Sequence, residues 1–187
     1  MEDREALLNG AEQCLLSKGY EWTTVRDIAT AADVSMTAIE YHFGSRDSLL
    51  QRVLFDALED WDASLQASLA ETAGKKGRER FLAVWEILIR HLRENPPLWR
   101  ASFELFRQAQ RSPELMTVYK DNQPGTLSAM ASLASSIDEV GMVPEESHTT
   151  GNVQLARVSG AVTQWLTNPE TTPSPDDLFD GLTWPGP

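Results

Sequence analysis

The chain is poor in cysteine and histidine, with one Cys and three His among 187 residues. A single cysteine excludes a disulfide framework within the chain, and Cys14 lies at helical spacing from Leu7 and Ala11, which favours a small core residue. The histidines show no metal-ligand spacing, and no paired carboxylates stand in an apolar setting. We therefore predict no catalytic constellation, metal site or cofactor. A small helical enzyme is the rival class, which a screen for bound metal would detect.

Long apolar runs are also missing. The first residues, MEDREALL, are acidic, and no stretch resembles a signal peptide or a membrane span. We therefore expect a cytoplasmic chain with no membrane partner. A hydrophobic fraction of 41% beside 24% charged residues is ordinary for a globular protein with a packed core.

Positive charge is scarce. The chain has 16 Lys and Arg against 28 Asp and Glu, a net charge of −12, and residues 1–52 hold five basic side chains against nine acidic ones. Nucleic-acid-binding proteins usually carry a basic patch, because their affinity for phosphate is mostly electrostatic. With this excess of acidic residues, the chain can bind nucleic acid only if its few basic side chains are placed locally at the binding surface.

The most informative pattern is the run TTVRDIATAADVSMTAIEYHFGSRD at residues 23–47. Thr24 is a predicted helix N-cap, and Asp27 stands where the partner in a capping box belongs. Apolar residues then follow at the spacing of one helix face, at Val25, Ile28 and Ala29.

A tight turn and a second short helix come next. Asp33 occupies a position that needs a left-handed backbone, which Asp accepts more cheaply than most residues. Ser35 is predicted to cap a helix that carries Ile39 and Phe43 inward. This order of elements is typical of a helix-turn-helix, whose second helix enters the DNA major groove.

The run from about Leu7 to Leu58 resembles the N-terminal domain of the TetR family of bacterial transcriptional regulators. The resemblance rests on Ala11, Gly19, Tyr20, Thr23–Ala29, Ala32, Val34, Ser35, Ile39, Tyr41–Phe43, Ser45, Arg46, Leu49 and Leu50. It covers a little over a quarter of the chain. The remainder resembles the family only in its helical layout.

The resemblance implies which residues contact DNA. Arg26 matches a position that touches a base or a phosphate, Arg46 matches a basic residue that pairs with phosphate, and Thr24 matches a phosphate-binding cap. The implied DNA-binding set is Thr24, Arg26, Ser35, Met36, Thr37, Glu40, Tyr41, His42 and Arg46.

Two departures from the family pattern affect this interface. Glu40 replaces a phosphate-contacting tyrosine, and an anion there is unfavourable unless it faces a cytosine amino group or an arginine. Met36 replaces a lysine and offers either apolar contact to a thymine methyl group or an exposed side chain with no partner. His42 is compatible both with a hydrogen bond that closes the small core and with phosphate contact.

The rest of the chain also has helical periodicity, so we predict an all-α fold. It comprises a three-helix DNA-binding domain at residues 1–52, with Tyr20 and Trp22 filling its core, and a helical ligand-binding and dimerisation domain at 53–187. Further helices are predicted over 3–18, 45–71, 81–92, from Pro96, from Pro113 with an interruption or kink at Pro124, over 127–140 and 151–167, and around 177–182, with a loop at 141–150.

Two features of the second region bear on its partners. The segments 127–140 and 151–167 mix small and large apolar residues and resemble the four-helix dimer interface of the family, which predicts a homodimer. The aromatic residues between positions 61 and 119 indicate either plain core or a cavity for a small-molecule effector. The candidate ligand-binding residues are Trp61, Trp85, Leu88, Trp99, Phe103, Phe106, Tyr119 and Trp165.

The resemblance implies a repressor that leaves a palindromic DNA operator when a small apolar or amphipathic molecule binds, with the fourth helix transmitting the change. The alternative is a helix-turn-helix protein that binds DNA weakly and acts through protein partners, which Glu40 and the acidic balance keep open.

The charge balance yields a first prediction. We expect binding to a random DNA duplex at physiological salt to be weaker than the roughly 10⁻⁶ M reached by basic regulators, because nonspecific affinity comes from phosphate neutralisation. A salt titration by fluorescence anisotropy measures this affinity. A steep salt dependence together with micromolar affinity would contradict the expectation.

Overall fold

The structure, a computed structural model, describes residues 2–137 and 147–182. Every regular element within these residues is helical, which confirms the all-α prediction. The helices are α1 (Glu2–Lys18), α2 (Val25–Ala32), α3 (Met36–Phe43), α4 (Arg46–Ala70), α5 (Gly77–Glu94), α6 (Pro96–Ala109), α7 (Pro113–Ile137), α8 (Ser147–Thr167), a short 3-10 helix (Pro169–Thr171) and α9 (Pro175–Leu182).

Most helix ends lie at the turn residues that predict them. Gly19 follows α1 with φ 87°, and Gly44 separates α3 from α4 with φ 77°, a region of backbone space that glycine enters without a steric penalty. Asn95 occupies the N-cap position of α6, whose first residues are Pro96 and Pro97, and makes no side-chain capping bond. Proline is tolerated there because the first N–H groups of a helix lack an intrahelical acceptor anyway.

Two expectations about the later helices are wrong. Of the two alternatives at Pro124, the interruption is wrong, because α7 runs from Pro113 to Ile137 and the segment predicted from 127 is its second half. The kink stays a prediction. Proline withholds one N–H from the helix, but the side chains of residues 120–126 are exposed, so water can reach the carbonyl left without a partner. The predicted loop at 141–150 is also too long, since α8 begins at Ser147. Residues 138–146 lie outside the described residues.

The described helices form two compact units. Unit 1 comprises Met1–Ala63 and Asn95–Pro113, and unit 2 comprises Ser64–Glu94 and Glu114–Pro187. The predicted domain boundary after residue 52 therefore falls within unit 1 and inside α4, a helix that belongs to both units. Helix α6 also belongs to unit 1, although it lies far from α1–α3 in the sequence. The functional division at 52 remains a prediction.

Unit 1 is built on a close approach of α1 and α2. A Cβ atom added at Gly10 would lie 2.9 Å from the backbone nitrogen of Ala32, so only glycine fits at this crossing. Leu7 and Ile28 are completely buried, and each contributes about 1.5–3 kcal/mol relative to an exposed side chain. Cys14 is 6% exposed, which confirms its place in the core, and burial raises the pKa of its thiol.

Unit 2 contains a buried face of α5. Trp85 and Leu88 are completely buried, and His91 lies 3.0 Å from the Ser68 hydroxyl through Nε2. Helix α9 docks on α5 through Phe179, whose ring meets Phe81 edge to face with centroids 5.2 Å apart. The predicted C-terminal helix near 177–182 is thus confirmed and packed.

Helices α7 and α8 also approach closely within unit 2. A Cβ atom added at Gly151 would lie 2.3 Å from the carbonyl oxygen of Leu127, a distance that no real contact allows. Gly151 therefore allows α7 and α8 to pack closely at this position.

The Gly151 contact gives a second prediction. We expect Gly151→Ala to lower the free energy of unfolding by about 1–3 kcal/mol, because the added methyl group forces the two helices apart. Gly125→Ala is the matched control, since Gly125 lies exposed in α7 with no atom near its Cβ position. The control should be neutral or gain up to about 1 kcal/mol from helix propensity. Thermal unfolding followed by circular dichroism compares the two, and equal effects would contradict the steric explanation.

Candidate nucleic-acid interface

Helix α2 begins with the capping box that the sequence predicts. Thr24 has an extended backbone, and its hydroxyl oxygen accepts a hydrogen bond from the Asp27 N–H at 3.1 Å. The Asp27 carboxylate in turn accepts from the Thr24 N–H at 2.9 Å and from the Thr24 hydroxyl at 2.7 Å. These bonds satisfy two N–H groups that would otherwise lack an acceptor and fix the first turn of α2.

The same carboxylate ties α2 to the end of α1. Lys18 Nζ lies 2.5 Å from Asp27 Oδ1. This ammonium group, followed by the Thr24 hydroxyl and N–H, lowers the pKa of Asp27 well below its usual range. Asp27 therefore remains ionised at neutral pH and joins three groups from two segments of the chain.

The turn between α2 and α3 has the left-handed residue that the sequence predicts. Asp33 has φ 53° and ψ 41°, and it is the one non-glycine residue with positive φ in the described part of the chain. The Val34 N–H donates to the Ala29 carbonyl at 3.1 Å and the Asp33 N–H to that of Thr30 at 3.3 Å. These bonds close the C-terminus of α2 and direct the chain into α3.

Ser35 stands at the N-cap of α3, but its predicted side-chain cap is wrong. Its backbone is extended, with φ −69° and ψ 148°, whereas its hydroxyl makes no capping bond. The hydroxyl instead lies 2.9 Å from that of Thr37. The side chain of Ser35 therefore leaves the N–H groups of the first turn of α3 available to another acceptor.

Helix α3 buries one residue and exposes most of the others. Ile39 is 2% exposed and anchors the helix to the core. Tyr41 is 85% exposed, and its ring meets the half-buried His42 edge to face at 4.8 Å. The outward side chains, Met36, Thr37, Glu40 and Tyr41, are all members of the predicted DNA-binding set.

Arg26 joins this surface from α2. Its exposed side chain and that of Met36 line an open surface groove of about 470 Å³. The other residues of the groove are Ala29, Thr30, Asp33, Val34 and Ser35. The fold thus brings the predicted Arg26, Ser35 and Met36 together on the outer side of the helix-turn-helix.

Arg46 is placed differently from the other predicted contacts. Its guanidinium group donates to the backbone carbonyls of Tyr20 and Thr23 and lies 5.3 Å from the centre of the Tyr20 ring. It also forms an ion pair with Asp47, and its side chain is only 23% exposed. The side chain of Arg46, which is predicted to contact phosphate, thus already has several partners within the protein.

The linker before α2 corrects another expectation. Tyr20 is 1% exposed, and burial raises its pKa to about 12, but Trp22 is 74% exposed and does not fill the core. Thr23, 1% exposed, takes the inward position instead. The tight turn that follows Gly19 directs Tyr20 and Thr23, three positions apart, inward and exposes the two residues between them, which hydrophobicity alone did not reveal.

A charged contact of α6 was missed by the sequence analysis. Arg107 pairs with Glu104 on its own helix and lies 3.7 Å from Glu21 in the linker between α1 and α2. This cluster adjoins a smaller groove of about 170 Å³ lined by Trp22 and Arg100, among others. No local signal pairs these residues, because more than 80 positions separate them.

The candidate ligand-binding residues divide between the two units. In unit 1, the rings of Trp61 and Trp99 meet edge to face at 4.7 Å, and Phe103 and Phe106 are 40% and 51% exposed on α6. In unit 2, four candidates range from completely buried to half-buried: Trp85, Leu88, Tyr119 and Trp165. None of the eight lines either groove described above. Their role in ligand binding stays a prediction.

Comparison with known proteins places this geometry in a family. Residues 7–53 match the family model of bacterial regulatory proteins, tetR family. The chain belongs to the TetR family. The match covers α1 from residue 7, all of α2 and α3, and the start of α4, which contain the interface described above.

Two relatives of this TetR-family protein are named as transcriptional regulators. The repressor AcnR of Corynebacterium efficiens is 30% identical over 126 residues, which cover 66% of this chain and 59% of AcnR. The regulator TtgR of Pseudomonas putida is 25% identical over 98% of this chain and 88% of TtgR. The match therefore spans less than two thirds of AcnR but most of TtgR.

Solved structures share the fold of this TetR-family chain. A TetR transcription regulator from Haloarcula marismortui has a TM-score of 0.67 and 20% identity, covering 95% of this chain and 91% of that one. The multidrug binding protein EbrR, solved with imidazole, has a TM-score of 0.70 and 22% identity, covering 98% and 90%. At these identities the likeness concerns the fold alone.

Among residues 2–137 and 147–182, no group of three or more His, Cys, Asp and Glu side chains is arranged to hold a metal ion. In the same ranges, no helix combines the length and apolarity that crossing a bilayer requires.

The Asp27 network yields a third prediction. We expect Asp27→Asn to lower the thermal midpoint at pH 7, because the Lys18 ion pair is lost. The pKa of Asp27 is lower in the folded state than in the unfolded state. Its carboxylate therefore contributes fully to folding stability above the unfolded-state pKa of about 3.9, and this contribution disappears as the pH falls toward the folded-state pKa. The difference in thermal midpoint between Asp27→Asn and the wild type should therefore become smaller below about pH 4.

Asp33→Asn is the matched control for this experiment. It removes the same charge in the same helix-turn-helix, and Asn tolerates the left-handed backbone equally well. We expect its thermal midpoint to follow that of the wild type across the pH range. A difference for Asp27→Asn that stays constant from pH 7 to pH 3 would argue against the charge of the carboxylate as its cause.

Proposed function

We propose that this chain is a ligand-responsive transcriptional regulator that binds a DNA operator through α3. The observation that carries the proposal is the outward face of α3, where Met36, Thr37, Glu40 and Tyr41 are exposed beside Arg26. The capping box, the left-handed Asp33 and the buried Ile39 hold this short helix in place. Family membership and the repressor AcnR among its relatives support the same function and favour repression.

The operator is a palindrome read by a homodimer. One eight-residue helix reaches only a few base pairs, so two copies are required, about 34–36 Å or a multiple apart. The dimer uses the second half of α7 and α8, predicted over 127–140 and 151–167. The outward side of α8 supports this, since Val153 is 47% exposed and Ala156 is also exposed on a helix whose other side packs on Leu127.

The chemistry of the reading surface defines what it recognises. Arg26 is the one Lys or Arg between Thr24 and Ser45, so it provides the cation of this segment for guanine or phosphate. Met36 makes apolar contact with a thymine methyl group, and Glu40 accepts a hydrogen bond from a cytosine amino group. Recognition then depends on base contacts more than on phosphate charge, which suits a chain with a net charge of −12.

The effector is a small apolar or amphipathic molecule that binds among the helices. In the described residues, the buried indole N–H of Trp85 and the buried side-chain amide nitrogen of Gln154 have no hydrogen-bond partner. Buried donors without acceptors are costly, so an effector with an acceptor group would stabilise either one.

The continuous helix α4 provides a route by which effector binding can release the protein from its operator. A ligand weakens operator binding if it favours a state in which the two reading helices are wrongly spaced, and about 1–3 kcal/mol of coupling is typical. Because α4 begins two residues after Gly44, which ends α3, and continues into unit 2, it can pass a shift to the reading helix.

The second candidate is a helix-turn-helix protein with weak DNA affinity that acts through protein partners. The exposed Glu40 favours it, since an uncompensated carboxylate repels the phosphate backbone.

Selection of duplexes from a random pool tests the proposal and forms the fourth prediction. We expect the wild-type protein to enrich an inverted repeat. Glu40→Gln should change the preferred base at one symmetric position and cost about 1–3 kcal/mol on the original sequence, because the neutral amide is a weaker acceptor toward cytosine and can pair with adenine through both its donor and its acceptor. Glu12→Gln, the same charge change at an exposed residue of α1, is the control and should leave the preference unchanged.

Two outcomes oppose the proposal. Enrichment of no duplex by the wild type, together with strong binding by Glu40→Tyr, would favour the second candidate. Failure of every small apolar or amphipathic molecule with an acceptor group that is tested to displace the enriched duplex would remove support for the proposed effector class.

A further inference from the structure

The linker between α1 and α2 presents two backbone carbonyls to one side chain. Tyr20 and Thr23 are each 1% exposed, and both carbonyl oxygens accept from Arg46, through Nη2 and Nε respectively. The Thr23 N–H and hydroxyl both donate to the Gly19 carbonyl, at 3.2 and 2.8 Å. The linker is therefore a compact turn whose inward carbonyls depend on a residue outside it.

The hydrogen bond between Arg46 and Thr23 joins two parts of the chain that flank the helix-turn-helix. Thr23 directly precedes the N-cap of α2, and Arg46 is the first residue of α4, directly after α3 and its turn. Between them lie residues 24–45, the whole helix-turn-helix. The hydrogen bond between Arg46 and Thr23 therefore joins the two ends of the segment that reads DNA.

We propose that Arg46 is a positioning residue that locks the helix-turn-helix at its base, and that it is not a phosphate contact. The proposal rests on the proposed DNA-binding function. Its role is to hold α2 and α3 at a fixed orientation to α1 by joining Thr23 to the start of α4.

The occupancy of the guanidinium group supports this role. All three of its nitrogen atoms already donate, to Thr23, to Tyr20 and to the Asp47 carboxylate, and its central carbon lies 5.3 Å from the centre of the Tyr20 ring. The Asp47 carboxylate also offsets the positive charge that a phosphate would meet. A phosphate contact would have to compete with all of these partners.

The choice of arginine fits the same role. A guanidinium group is a planar fork that can donate to two carbonyls at once while it stacks on an aromatic ring. A lysine has one ammonium group on a flexible stem and cannot reproduce this arrangement, although it keeps the positive charge that attracts phosphate. Replacement of Arg46 by lysine therefore preserves the charge of a phosphate contact but removes the lock.

The Arg46→Lys variant, which keeps the charge, forms the fifth prediction. We expect its thermal midpoint to fall by about 3 °C or more, since two hydrogen bonds and the ring contact are lost in a chain of this size. Binding is measured well below that midpoint, where circular dichroism shows a fully helical protein. There we expect affinity for the duplex enriched by the wild type to fall about tenfold or more, with an unchanged slope of log K against log salt concentration.

Arg26→Gln is the matched control, because Arg26 is exposed on the same helix-turn-helix. It should keep the thermal midpoint and lower the salt slope by about 0.9, the value for one phosphate neutralised. Arg46→Gln adds a charge-removing change at the proposed lock, and its slope should equal that of the wild type. A loss of overall stability alone would not lower the affinity of a folded protein, so the low-temperature affinity separates positioning from stability.

The opposite pattern would overturn the inference: Arg46→Lys with the midpoint and affinity of the wild type, and Arg46→Gln with a slope lower by about 0.9. If Arg46→Gln does not fold, Arg46→Lys decides alone. If the wild type enriches no duplex, the proposed DNA-binding function fails, whereas the lock still stands or falls with the thermal midpoint of Arg46→Lys.

Discussion

The orientation of α3 depends on how the start of α2 is held. The Asp27 carboxylate gathers the Lys18 ammonium group and both hydrogen-bonding groups of Thr24, so the end of α1 and the start of α2 form one unit. From there, Gly10 allows α1 and α2 to approach closely, and the left-handed Asp33 turns the chain into α3. An eight-residue helix is marginal by itself in water, so its position is set by these flanking contacts.

The acidic balance of the chain is consistent with DNA binding only if recognition is local. Most cations near the helix-turn-helix already have partners: Lys18 pairs with Asp27, Arg46 with Asp47, and Arg52 with Asp56. Arg26 stays exposed on the outer side beside Met36. A surface of this kind gains little from nonspecific attraction, so discrimination between bases has to supply a larger share of its affinity.

The parts of the fold that sequence analysis predicted correctly are those set by short-range chemistry. The capping box of Thr24 and Asp27, the left-handed Asp33 and the proline start of α6 each depend on residues within four positions of each other. The errors concern contacts that the tertiary fold determines. Hydrophobicity placed Trp22 in the core, whereas the turn exposes it and buries Thr23. The contact of Arg107 with Glu21 joins positions that no local pattern relates.

The 25 residues of α4 make one continuous helix that is about 37 Å long. If such a rod tilts by about 5° around one end, its other end moves by roughly 3 Å, close to the 3.4 Å rise between successive base pairs. A tilt of only a few degrees would therefore suffice to move a reading helix one base pair out of register.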